Sequence, residues 1–212
     1  MTYGRILVAL ALTAAGGRGE IIDRIAISVG DRAIALSEID LQIRVAAFLN
    51  GEKPDFSPAS KRSAGERLVD QRLIQGEMEL SRYPGPSDDE INAMFEQVKK
   101  ETASGDADFE RKLAEYGITA ADLREQLRKQ IMLLRFIDVR FKAGIQVSDS
   151  QIRDYFEKQV KPAHPGGAIA IDDYREEIEE ALLAQLANEQ ADAWLKDARK
   201  RTEIEYHEEA LQ

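Results

Sequence analysis

The 212-residue chain contains no cysteine, which excludes a disulfide framework, a thiolate zinc site and a thiol nucleophile. Histidine is almost as scarce. His164 and His207 are the only two, and neither has a second histidine or a cysteine nearby in sequence to complete a zinc site. Gly-x-Ser-x-Gly, the P-loop, Gly-x-Gly-x-x-Gly, His-Glu-x-x-His and the EF-hand loop are all missing. Positive charge is in deficit, with 29 Lys and Arg against 39 Asp and Glu and a net charge of −10. Nucleic acid and anionic lipid are therefore disfavoured partners, since both are held largely through Lys and Arg at phosphate. No apolar run approaches the roughly twenty residues needed to cross a bilayer as a helix.

What is present reads as a globular chain, with 43% apolar and 32% charged residues. At the amino terminus Arg5 precedes an uncharged run over residues 6–15, and the small residues Ala14, Ala15, Gly16, Gly17 and Gly19 follow or overlap its end. This is the pattern of a secretory signal over residues 1–19, so the chain is expected to be exported.

Ile25, Ile27 and Val29 alternate with smaller or polar residues, and Gly30 and Asp31 separate them from Ala33, Ile34 and Ala35. That predicts a β-hairpin with Gly30 supplying a positive φ. Ser37 with Asp40 suggests a capping box for a helix over about 38–49. A second helix over about 58–82 follows Pro58, with an apolar stripe of Leu68, Val69, Leu73, Ile74 and Leu80. Ser87 with Glu90 caps a third, and a short helix carrying Phe109, Leu113 and Tyr116 ends at Gly117. Thr119 with Asp122 opens the helix over about 120–142, the most apolar of the chain. Leu123, Leu127, Ile131, Leu134 and Phe141 form one stripe and Met132, Phe136 and Val139 a second, with Gly144 expected to close it. Ser148 with Gln151 starts a sixth helix. Pro162, Pro165, Gly166 and Gly167 make residues 161–171 a linker, and a long helix over about 173–200 precedes an alternating strand at Thr202, Ile204 and Tyr206. The expected fold is mainly α, a multi-helix core with a small sheet in which the closing strand joins the N-terminal hairpin.

The acidic pairs Asp88 with Asp89, Asp106 with Asp108, and Glu179 with Glu180 could in principle serve acid/base chemistry or hold a cation. Most of them fall at helix starts or on exposed faces, where carboxylates complement the helix dipole. Arg124, Arg128, Lys129, Arg135 and Arg140 crowd one helix without interleaved aromatics, the pattern of intramolecular pairing. No metal or cofactor is implied, and the expectation is a protein that binds other polypeptides without catalysing a reaction.

The stretch from Asp23 to Asp31, followed by Ala35-Leu36-Ser37-Glu38-Ile39-Asp40, resembles the start of the SurA-type periplasmic chaperones. Residues 67–74, the entries Ser87-Asp88-Asp89-Glu90-Ile91 and Ser148-Asp149-Ser150-Gln151-Ile152, and Trp194 in a long helix before a final strand continue the resemblance. It implies a helical chaperone domain over residues 20–160, completed by a helix and strand over 172–212, that binds unfolded outer-membrane proteins in the periplasm without ATP. In that family one or two parvulin-type prolyl isomerase domains lie between these parts. Here only residues 161–171 stand there, so isomerase activity is not expected. Release without ATP requires weak binding; at a dissociation constant near 1 µM and association near 10⁶ to 10⁷ M⁻¹s⁻¹, it takes about a second or less. Adaptable methionine and aromatic side chains suit such binding, and Met94, Phe95, Phe109, Tyr116, Met132 and Phe136 are the candidates to line a client groove. The alternative from another class is a helical adaptor of the cell envelope that meets a folded partner or a second copy of itself, as a homodimer.

Overall fold

A computed structural model describes residues 23–165 and 169–212; the expected signal segment and part of the linker lie outside them. Strands β1 (Ile25–Val29) and β2 (Arg32–Ala35) form the hairpin, and β3 (Ile204–Tyr206) pairs antiparallel with the other edge of β1, giving the order β2-β1-β3. Chain ends nearly 180 residues apart in sequence are thus joined, as the alternation at Ile204 and Tyr206 predicts. Gly30 has φ +58 at the first position of the two-residue turn between Val29 and Arg32.

Helices α1 (Leu36–Asn50), α2 (Pro58–Ser81), α3 (Asp88–Thr102), α4 (Asp106–Glu115) and α5 (Ala120–Arg140) follow. Then come α6 (Asp149–Tyr155), a π-helical turn Phe156–Val160, the single turn α7 (Lys161–Ala163), the long α8 (Arg175–Arg201) and the short α9 (Glu208–Leu211). The capping boxes at Ser87/Glu90, Thr119/Asp122 and Ser148/Gln151 form as their spacing predicts. Gly117 has φ +65 after α4, and the Gly117 and Ile118 N–H groups donate to the Ala114 and Leu113 carbonyls, satisfying acceptors the helix end leaves open.

Three local expectations are corrected. Helix α1 begins at Leu36, before Ser37, because the Glu38 carboxylate accepts from the Ala35 N–H and so fixes the first turn two residues earlier. Ser37 instead donates its hydroxyl and its N–H to Asp23. Helix α5 ends at Arg140, and Gly144 belongs to a 3₁₀ turn (Lys142–Gly144) without a positive φ. The apolar stripes also reach too far, since Leu80, Leu134 and Val139 are exposed.

Four apolar clusters support the molecule. The sheet, the first part of α2, and α9 pack Ile27, Ile34, Ile39, Leu68 and Val69 together. Phe48, Phe95, Phe109, Leu123 and Leu127 join α1, α3, α4 and α5. Ile74, Met78, Phe136, Phe141 and Ala191 join α2, α5 and α8, and Ile152, Phe156, Ile178 and Leu182 fasten α6 to the first half of α8. Helix α5 touches α1, α2, α3 and α8 and so runs through the middle of the molecule.

Gly65 marks the tightest approach of α2 to the sheet. A Cβ there would stand 2.6 Å from Ile27 Cδ1 and 3.5 Å from Ile39 Cδ1, both on fully buried side chains. Gly65→Ala gains about 1 kcal/mol of helix propensity but forces an overpacked core costing about 1–3 kcal/mol. A net loss of about 1 kcal/mol in urea unfolding is expected; a stabilised variant would show that the sheet yields freely at this contact.

Candidate functional site

The six residues nominated from the sequence do not form one groove. Met94, Phe95, Phe109 and Tyr116 belong to the cluster around Phe48, whereas Met132 and Phe136 belong to the one around Ile74 and Trp194. Phe95, Phe109 and Phe136 are buried core residues, locked by edge-to-face contacts such as Phe95 to Phe109 at 5.4 Å and Phe136 to Trp194 at 5.0 Å. Arg124 lies 3.7 Å above the Phe95 ring and covers it further. Met94 and Tyr116 are half-buried, with Tyr116 at the edge of a 400 Å³ depression beside Lys112 and Glu115.

Met132 and Phe136 do line a continuous feature. A cleft of 250 Å³ runs between α2, α5 and α8, with Phe136 and Ala191 in its floor and Leu133, Ile137 and Leu195 in its walls. A second cleft of 180 Å³, bounded by Met132, Gln75, Glu125 and Lys129, meets it at Gln71, Ile74 and Leu133. Together they make a furrow with an apolar bottom and a polar rim that includes Arg67, Asp70, Asn188 and Asp192. The Gln71 side-chain oxygen is buried where the clefts meet and has no hydrogen-bond partner, leaving an acceptor for a donor brought by an occupant.

An ion-pair cluster clamps α2 to α8 at one end of the furrow. Arg199 on α8 donates to Asp70 at 2.7 Å and to Glu66 at 2.5 Å on α2, and also to the Glu66 carbonyl at 3.0 Å. Burial pushes the Glu66 carboxyl upward, but hydrogen bonds from Arg199 and Tyr206 outweigh it and leave the pKa below the ordinary value. The same cluster raises the Arg199 pKa, first through Asp70. Arg72 pairs with Glu38 at 2.5 Å, fixing α2 against α1 near the other end.

The pairing expected of the basic residues on α5 is met in part: Arg128 and Arg135 form ion pairs, whereas Arg124, Lys129 and Arg140 form none among the described residues. Arg128 pairs with Asp88, Arg135 with Glu90 and the Pro84 and Gly85 carbonyls, Lys99 with Asp106, and Arg111 with Asp108. His207 meets Ser28 at 3.1 Å, His164 lies against Tyr174 with the ring planes inclined at 57°, and among the described residues no cluster of His, Asp and Glu could hold a metal. No helix among them is long and apolar enough to cross a membrane.

The further furrow residues are Ile74 of α2, Leu195 of α8, and Leu133 and Ile137 of α5, none of them a nominated residue. The available signal was the density of apolar positions on α5, where Leu133 and Ile137 adjoin Met132 and Phe136 and widen the apolar face beyond a single stripe.

No protein-family model matches the chain. It is similar to curated proteins named Chaperone SurA. The one from Hahella chejuensis is 24% identical over 187 residues, covering 86% of this chain and 41% of that protein. The one from Methylococcus capsulatus is 27% identical over 206 residues, 94% of this chain and 44% of that protein, and the one from Shewanella oneidensis 29% identical over 136 residues. The chain thus resembles SurA in sequence along most of its length, and spans less than half the length of these relatives.

Proposed function

We propose that the chain is an ATP-independent holdase of the periplasm, which binds unfolded polypeptides, outer-membrane proteins among them, and does not isomerise prolyl bonds. The observation that carries this reading is the furrow between α2, α5 and α8, an apolar-floored channel with a polar rim and an unpartnered acceptor. Its chemistry suits side chains of an incompletely folded chain, because apolar walls reward burial while the rim keeps the free protein soluble. The similarity to Chaperone SurA supports the same reading, and the absence of an isomerase step rests on the short residue 161–171 segment. Met132, half-buried at the edge of the furrow, is the nominated residue best placed for client contact, with Leu133, Ile137 and Leu195 added to it.

An aggregation assay tests this. The chain at a near-equal ratio should suppress light scattering by an unfolded outer-membrane protein, and Leu133→Gln or Ile137→Gln, checked for folding by circular dichroism, should weaken suppression several-fold. No suppression at about fivefold excess of the unaltered chain would sink the reading, since binding at micromolar affinity would then be near saturation.

A further inference from the structure

On the other side of α2 lies a larger and differently built cleft. It has a volume of 530 Å³ and opens between the hairpin turn, α2 and the end of α8. Its apolar surface comes from Leu73, Leu80 and Trp194, and its floor from Gly76. Gly76 is a helix-interior glycine whose absent Cβ would meet nothing within 4 Å. Such a glycine weakens the helix, and no close packing inside this chain requires it. Beside this hollow stands Leu80, 83% exposed, the most exposed large apolar residue among those described.

Knob and hollow on one face of one helix are self-complementary, which is the condition for a two-fold interface. The charges agree. Arg32, Arg72 and Arg201 line the cleft together with Asp31, Glu77 and Glu79, three of each sign, on a chain whose net charge is −10. Two copies approaching elsewhere meet like charge on average; here they meet a balanced patch. Arg32 and Arg72 are already paired, to Glu79 and Glu38. Arg201, Asp31 and Glu77 make no ion pair among the described residues, so a cation and two carboxylates remain for a partner that carries the same set.

We propose that this cleft is a self-association surface, in which two copies of the chain pack about a two-fold axis with Leu80 of each seated over Gly76 of the other and Arg201 facing the partner's carboxylates. Apart from Arg72, which borders both, the cleft and the furrow draw on different residues of α2, so the proposal stands or falls independently of the holdase reading.

Sedimentation equilibrium on the full chain between about 1 and 200 µM tests it. The unaltered protein should move toward twice the monomer mass as concentration rises. Leu80→Asp removes the knob from an exposed site, and Gly76→Leu fills the hollow with a better helix former; each should weaken dimerisation at least about tenfold. Because Gly76→Leu is expected to raise the melting temperature, its loss of dimer cannot be laid to unfolding. A monomer throughout the range, or dimers of unchanged strength in both variants, would overturn the proposal. So would a monomeric protein in which Leu80→Asp abolishes aggregation suppression, since the cleft would then hold client.

Discussion

Phe136→Ala is expected to lower the unfolding free energy by about 3–5 kcal/mol, the range for removing a large aromatic from a packed core. Phe136 is 1% exposed and is gripped edge-on by three rings: Trp194 at 5.0 Å, Phe141 at 5.5 Å and Tyr83 at 6.4 Å. These come from α8, the turn after α5, and the loop after α2. The site therefore cannot collapse by moving one side chain, and the cavity term is retained. Trp194 is the only tryptophan, so its fluorescence reports the environment of this site directly. Urea unfolding followed by that signal should show an earlier midpoint, the loss being a large share of the about 5–15 kcal/mol that native domains carry. A loss under about 1 kcal/mol would mean that the three rings close over the gap, and that this junction is looser than its edge-to-face contacts imply.

The second large effect should follow from Arg199→Met, which keeps much of the side chain's bulk and removes the charge. Glu66 and Asp70 then lose their shared cation in a half-buried position, and the α2–α8 clamp at the furrow's end is released. The groups are about a third exposed, so solvent screening limits the loss to about 1–2 kcal/mol at neutral pH. The pH dependence is more diagnostic than the size. In the native protein the Glu66 pKa lies below the ordinary 4.5 despite burial, so its contribution to stability is present above that value and disappears as pH falls through the folded pKa. Without Arg199 the largest single influence left on Glu66 is burial, opposed by the Tyr206 hydrogen bond, so at this site acid should cost the variant less than it costs the unaltered protein. Unfolding midpoints measured across about pH 3 to 7 should therefore converge for the two proteins at the acid end. Parallel curves would show that Arg199 acts through packing alone.

The local architecture was largely legible in the sequence. Ser87 with Glu90, Thr119 with Asp122 and Ser148 with Gln151 announced helix starts, because a cap is a bond between residues three apart and needs no distant partner. Gly30 and Gly117 marked the turn and the helix end for a similar reason, both being backbone positions with positive φ. The Ser37 cap failed where a competing local acceptor existed: Glu38 reaches back to the Ala35 N–H, and Ser37 is taken by Asp23.

The site was much less legible. Methionine and aromatic content identified residues able to bind adaptably, but burial decides which of them a partner could touch, and burial depends on all neighbouring elements at once. Phe95 and Phe109 were drawn inside by Phe48 and Tyr116, which are far apart in sequence. Leu80 went the other way. It lies on the apolar side of α2 by periodicity, yet no neighbouring element among those described covers it.

By itself, then, the sequence determined the helix starts and turns, the mainly helical class, the strand that returns to the hairpin, and the exclusion of thiol chemistry. These depend on residue type and on spacings of two, three or four positions, which the backbone geometry converts directly into contacts. Only the tertiary structure decided that Met132 and Phe136 share a furrow with Leu133, Ile137 and Leu195, that Arg199 clamps α2 to α8 beside it, and that Gly76 and Leu80 form a hollow and a knob. Each of those depends on how α2, α5 and α8 cross, a choice made by the summed packing of side chains up to 133 residues apart, and one that no short spacing in the chain encodes.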